Sequence, residues 1–156
     1  MKNVRQGFTL IELMVVMAII SILAVSVFVA LNPSKRIKDA LDARRTTDIS
    51  SILTAIHQYI VDNKGAFPTG LTAGMSEKQL GTVTSGCAIS SGGCNITGSG
   101  DCINLSTPLV SYLKSIPIDP AGGSAALTNY SVGVDTYGII TVTACKADTP
   151  PITVSR

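Results

Sequence analysis

One carboxylate stands among apolar residues. Residues 8–31 read FTLIELMVVMAIISILAVSVFVAL, and Glu12 is the only charge in a run otherwise broken by Thr9, Ser21 and Ser26. Inserting an ionised carboxylate into the outer part of an apolar helix costs on the order of 2 to 3 kcal/mol, so a cation is expected beside it. The chemistry this suggests is charge pairing. A cut between Gly7 and Phe8 would create an α-amine four residues before Glu12, one helical turn away on the same face. That amine, from the same chain or from a neighbour, is a ready partner, and self-association through this helix becomes a physical expectation.

The other residues that could do chemistry point to structure. Cys87, Cys94, Cys102 and Cys145 are an even set suited to two disulfides in an oxidising compartment. The first three are spaced seven and eight apart with no Cys-x-x-Cys pair, so disulfide staples of an irregular loop are expected and zinc is not. Three connectivities stay open, with a pairing of Cys145 to one of the loop cysteines preferred. His57 is the only histidine, on the flank of an apolar helix stripe, and reads as a packing or surface residue. No Ser/His/Asp set, nucleophile elbow or phosphate loop occurs, and Gly92, Gly93, Gly98 and Gly100 belong to a Ser/Gly/Cys loop. Asp119 and Asp135 are too few to make a calcium site. No catalytic residue, metal or cofactor is expected. With 12 basic against 10 acidic side chains, Lys2 and Arg5 lying at the very start, and no Trp, a nucleic-acid surface is not indicated.

These residues need elements to position them. As a helix, residues 8–31 would be about 36 Å long, enough to cross a hydrocarbon core of about 30 Å. Positive charge lies on both sides of this span, with Lys35, Arg36 and Lys38 after it, so charge does not orient it. The cysteines do: the C-terminal part should face outward. Asn32-Pro33 marks a kink or break. Beyond it, Ile37, Ala40, Leu41, Ile49, Ile52, Leu53, Ile56 and Ile60 recur at helical spacing along one face. Lys35, Lys38, Asp39, Asp42, Arg44 and Asp48 read as a solvated face with opposite charges four apart, and the break at residues 44–48 as a place for ion pairs between subunits. Asn63-Lys64-Gly65 and Pro68 end the helix. An irregular Gly/Ser/Thr-rich stretch follows to about residue 101. A short helix is expected over 107–115 from Thr107-Pro108, and a β-hairpin over 130–134 and 139–144, turning at Asp135-Thr136-Tyr137-Gly138.

Gly7-Phe8-Thr9-Leu10-Ile11-Glu12, preceded by a short leader with Lys2 and Arg5 and followed by the apolar run, resembles the prepilin leader and processing site of type IV pilins and type II secretion pseudopilins. The resemblance covers the first 31 residues. It implies a membrane aspartyl peptidase that cuts after Gly7 and methylates Phe8, with Glu12 aligning subunits during assembly. The stretch Asp62-Asn63-Lys64-Gly65-Ala66-Phe67-Pro68-Thr69 resembles the end of the long helix in pseudopilin-like subunits, and Ile116-Pro117-Ile118-Asp119-Pro120 is similar to pseudopilin loops, some of which bind calcium.

The fold this implies is α+β and pilin-like: a long N-terminal α-helix, membrane half plus amphipathic half, packed on a small antiparallel β-sheet with a disulfide-stapled loop. The expected divisions are a leader at 1–7, a transmembrane and assembly helix at 8–31, its amphipathic continuation at 32–64 and a globular region at 65–156. The function implied is a structural subunit of a type IV pilus-like filament. It would be a single-pass inner-membrane precursor with its C-terminal domain outside, and then part of an extracellular or cell-surface filament. Its partners would be copies of itself, the prepilin peptidase/methyltransferase and the pilus or secretion assembly machinery. A pseudopilin of type II secretion or of DNA uptake is the alternative within this class. Outside it stands a membrane-anchored or secreted disulfide-stabilised binding domain, against which Glu12 and the lack of a small-x-small signal-peptidase site weigh.

Overall fold

A computed structural model describes residues 7–156 and divides the chain into two compact units, one reaching to Ile37 and one spanning Lys38–Arg156. The leader positions 1–6, with Lys2 and Arg5, lie outside the described residues.

In the first unit the apolar run forms helix α1, Leu10–Leu31. It is apolar all round and none of its residues is buried within the chain, the composition of a helix whose surroundings are hydrocarbon or other apolar helices. Its two serines add no unpaired polar group to that surface. Ser21 Oγ donates to the Met17 carbonyl at 2.7 Å and Ser26 Oγ to the Leu23 carbonyl at 2.8 Å, satisfying both hydroxyls inside the helix. Asn32 stops α1 in a left-handed conformation (φ 40°), and Pro33 opens helix α2, Pro33–Asp62, at the first position, where its missing N–H costs nothing. The break expected at Asn32-Pro33 is therefore a C-cap and a restart.

The second unit builds one core. Ile49, Ile52, Leu53, Ala55 and Ile56 of α2 pack with Leu80, Ile103, Leu105, Leu109, Tyr130, Val132, Val134, Ile140 and Val142. The buried face of α2 does not begin at Ile37, which is 62% exposed, as the apolar spacing suggested; Asp42 and Arg45 occupy its first buried positions. The helix ends as expected. Gly65 N–H donates to the Ile60 carbonyl and Lys64 N–H to the Val61 carbonyl, a Schellman arrangement in which Lys64 takes the left-handed position (φ 57°) and Gly65 follows at φ 91°.

Five strands form one sheet in the order β2-β1-β3-β4-β5: β1 Lys78–Leu80, β2 Cys102–Ile103, β3 Tyr130–Val134, β4 Ile140–Ala144 and β5 Thr153–Ser155. All pairings are antiparallel except β1 with β2. The expected hairpin is β3-β4, in register from Tyr130 opposite Ala144 to Val134 opposite Ile140. Its turn is held by the Asp135 carboxylate, which accepts from the N–H groups of Tyr137 and Ile139, both at 2.8 Å. Tyr130, Val132 and Val134 point into the core, while Ser131 points to the opposite face, where its Oγ meets Cys94 Sγ at 3.2 Å. That face lies under the cysteine loop.

The helix expected over 107–115 is not formed. The segment is a run of turns that seats Leu109 in the core, with Leu109 N–H bonded to the Leu105 carbonyl and Leu113 N–H to the Leu109 carbonyl. Before it, Asn104 Oδ1 accepts from Ser106 N–H at 3.0 Å and Oγ–H at 2.6 Å, a local turn that competes with helix nucleation.

Two disulfides close the loops, Cys87–Cys102 and Cys94–Cys145, across 15 and 51 residues. Cys145 thus pairs with a loop cysteine. Gly92 lets the loop approach the backbone of Cys145 so closely that a Cβ there would collide with it. Loop-closure entropy grows with length, so replacing Cys94 and Cys145 together by Ser should lower unfolding stability by about 1 kcal/mol more than replacing Cys87 and Cys102, as read by urea titration.

Candidate functional site

The residues singled out at the chain's start meet at the N-terminus of α1. Thr9 is the N-cap, in extended conformation, and its hydroxyl accepts from Glu12 N–H at 3.3 Å. Glu12 reaches back, its Oε2 accepting from Thr9 N–H at 3.0 Å and from Thr9 Oγ–H at 2.8 Å. This is a reciprocal capping box: two orphan N–H groups are satisfied and the negative charge sits at the positive end of the helix dipole. The Thr-x-x-Glu spacing is the sequence signature of this box, which the pairing of Glu12 with an α-amine does not by itself reveal. Glu12 is thus held within its own first turn. Among the described residues, Oε1 has no partner. Immediately before the cap, Phe8 is 93% exposed, and among the described residues nothing lies within 4 Å of where a Gly7 side chain would begin, so no described residue shields the Gly7-Phe8 bond.

A residue two from an exposed peptide bond, capped so that the bond projects beyond the helix, suits recognition by an enzyme that reads the helix start. Residues 2–28 match the prokaryotic N-terminal methylation motif. This is the prepilin motif of type IV pilins and pseudopilins, and it supports that class for the chain. Proteins that carry the prepilin motif are structural, assemble into filaments with other pilin copies and pass through processing machinery. An apolar helix bearing the prepilin motif fits a membrane-anchored precursor. No solved structure matches the chain.

The second charged place, the polar break of α2, is arranged otherwise than its sequence suggested. Arg45 is 1% exposed and is the hub of three carboxylates from distant parts of the chain. Its Nε and Nη2 form a fork on Asp119 at 2.7 and 3.2 Å, and its Nη1 reaches Asp42 at 2.8 Å and Asp148 at 2.9 Å. Asp42 in turn accepts from the N–H groups of Asp148 at 3.0 Å and Thr149 at 2.8 Å. Lys38 stands at the rim, 3.7 Å from Asp148. Of the pairs expected four apart, Arg44–Asp48 is present at 3.9 Å, and Asp48 also accepts from the buried Tyr130 hydroxyl at 2.8 Å. The reading of Asp42 as part of a solvated face is therefore corrected: Asp42, and Arg45 beside it, serve the inside of the domain. An ion pair with perfect helical spacing is invisible to a hydrophobic pattern. The signal that could have exposed it is the continuation of the buried spacing 56, 52, 49 back to 45 and 42.

Burial opposes the charge on Asp42, but the Asp148 N–H, the Arg45 guanidinium and the Thr149 N–H outweigh it and hold its carboxyl below the ordinary value. The hydrogen bonds to Asp119 lead in raising Arg45 against the opposing effect of burial. Burial first, then the bond to Asp48, pushes the Tyr130 phenol up.

The remaining candidates are structural in their contacts. Asp119 is spent on Arg45 and on the Ala121 N–H, and Asp135 on its turn. Among the described residues no group of three His, Cys, Asp or Glu side chains could hold a metal ion. His57 is half-buried, with Nε2 enclosed and unpartnered.

Arg45→Met should leave three facing carboxylates unpaired and destabilise the domain by about 3–5 kcal/mol, and Arg45→Lys by less, since a lysine restores charge without the fork. Thermal melts of the full chain in detergent check both. Because Asp42 binds its proton more weakly folded than unfolded, its contribution is full above about pH 4 and is lost as pH falls through the lower folded value. Asp42→Asn should flatten that part of the acid unfolding curve.

Proposed function

We propose that the chain is the precursor of a structural, non-enzymatic subunit of a type IV pilus-like filament, cut between Gly7 and Phe8, N-methylated at Phe8 and polymerised through α1. The observation that carries the reading is the pairing, in one 22-residue apolar helix, of a surface that is not buried by any of the described residues with a single charged side chain at its first turn. The match of residues 2–28 to the methylation motif supports it.

The chemistry runs from the cap. The exposed bond between Gly7 and Phe8 is hydrolysed, and the new amine emerges one residue before Thr9, whose N–H and hydroxyl already hold the Glu12 carboxylate. A methyl group added there keeps the positive charge. In the membrane α1 spans the bilayer, with the disulfide-bearing domain on the oxidising side. In the filament the same apolar surface is covered by neighbouring helices, and the free oxygen of Glu12 meets a neighbour's amine, fixing axial register.

Intact mass and N-terminal sequencing of protein from its native cells test this. The expected product begins at Phe8 and is heavier by about one methyl group; a product that retains Met1, or begins beyond Ser26, would sink the reading. Glu12→Ala should leave cutting intact and remove pelletable filaments, seen by fractionation and electron microscopy.

A further inference from the structure

The domain carries an apolar knob and an apolar cavity at opposite ends of one sheet. The knob is Tyr137, 91% exposed, the most exposed of the large apolar side chains between residues 38 and 156. It stands on the β3-β4 turn, beyond Val134, and the turn is stiffened by the Asp135 carboxylate and by the Asp135–Ile139 backbone pair. An aromatic side chain on a fixed turn loses little conformational freedom when it binds.

The cavity lies where β1 and β2 end and just before β3 starts. Leu80, Leu105, Ile116, Ile118 and Thr128 are among its lining, with a volume of about 200 Å³. A cavity of about 150 Å³ with such walls takes up a benzene molecule, so this one has room for a tyrosine ring. Lys114, exposed, lines it, while the knob is flanked by the exposed carboxylate of Asp135, so the two surfaces are opposite in charge as well as in shape. Because β3 runs from the cavity end to the knob end, no chain can fill its own cavity with its own Tyr137. Along α2, the cavity end is that of Arg45, which grips Asp119 next to Ile118, and the knob end is that of the helix C-terminus, where Phe67 approaches Gly138.

We infer that the cavity receives Tyr137 of a second copy of this chain, a head-to-tail contact between successive domains along the direction of α2. Knob and cavity are different surfaces, so the contact is heterologous, and a contact of this kind that does not close into a ring propagates as an open helical array. The inference rests on the filament reading above and adds to it a specific contact between globular domains. The partner is fixed by what the two surfaces share: ring and cavity, carboxylate and ammonium.

The test places a photo-crosslinking benzoylphenylalanine at position 137 of the full chain in cells that assemble it, with a second sample carrying the same group at Val16 in α1. Irradiated assemblies should yield covalent dimers from position 137 that map to 80–82, 104–106 or 114–118 of the second chain. Ala125→Phe, at an exposed cavity-lining position, should abolish those dimers. Lys114→Glu should lower their yield about 2–5-fold. Adducts from position 137 that fall only on lipid, on another protein or elsewhere on the second copy would overturn the inference. So would dimers that survive Ala125→Phe at full yield. If position 16 gives multimers while 137 gives none at the cavity, the contact fails and the filament stands. If neither position gives multimers, both fall.

Discussion

A single buried guanidinium ties the domain together. Arg45 reaches from α2 to Asp119, 74 residues on, and to Asp148, 103 residues on, and through Asp42 it also anchors the backbone at Asp148 and Thr149. The first of these segments leads into β3 and the second into β5, so the fork on Asp119 and the bond to Asp148 set where both ends of the sheet's long excursion return to the helix. Burying such a charge is unfavourable unless every donor finds a partner, and here the fork geometry of arginine supplies three partners at once. The hydrophobic face of α2 then continues from Ile49 onward without a gap. The disulfide from Cys94 to Cys145 closes the same region covalently, so the segment between β4 and β5 is held at both ends, by sulfur and by charge.

What was legible in the sequence followed from composition and local turn chemistry. An apolar run with two satisfiable serines has only one stable form away from water, and α1 is that form. Asn32-Pro33, Lys64-Gly65 and Asp135 to Gly138 punctuate the chain because each answers a backbone need of its own neighbourhood. The parts that were hidden depend on partners far along the chain. Arg45 reads as surface until Asp119 and Asp148 are brought to it. Strands β1, β2 and β5 have three, two and three residues, too short for any alternation to register, and they exist because β3 and β4 offer them edges. The turns around Leu109 replaced an expected helix because one buried leucine is enough to seat the segment, while a helix of two turns must first meet the cost of nucleation.

The N-terminal site was legible in residue type and only partly in geometry. Glu12 is expected from the sequence to pair with an α-amine; the structure also gives it donors within its own cap, with Thr9 as the other half of the box. This changes the physical role of the carboxylate. A charge already held by two donors does not drive association merely to escape burial, but it presents its second oxygen in a fixed direction at the head of the helix. In the proposed filament such a site would orient a neighbour rather than attract one.

That distinction bears on how helices of this kind can assemble. Lipid tails are as apolar as the leucines and valines of α1, so exchanging lipid for neighbouring helices gains little from the hydrophobic effect itself. A surface apolar all round also has no preferred face and no preferred height, since a shift of one turn along such a helix presents nearly the same chemistry. In the proposed filament, register would then come from the few features that break the sameness: the carboxylate at the first turn, and contacts between the globular domains. A domain with its own core, its own disulfides and a buried charge hub is rigid enough to carry such contacts, because a knob on a stiff turn and a cavity with fixed walls keep their spacing from one copy to the next. A flexible domain could bind a neighbour equally tightly and still leave the helices free to slide.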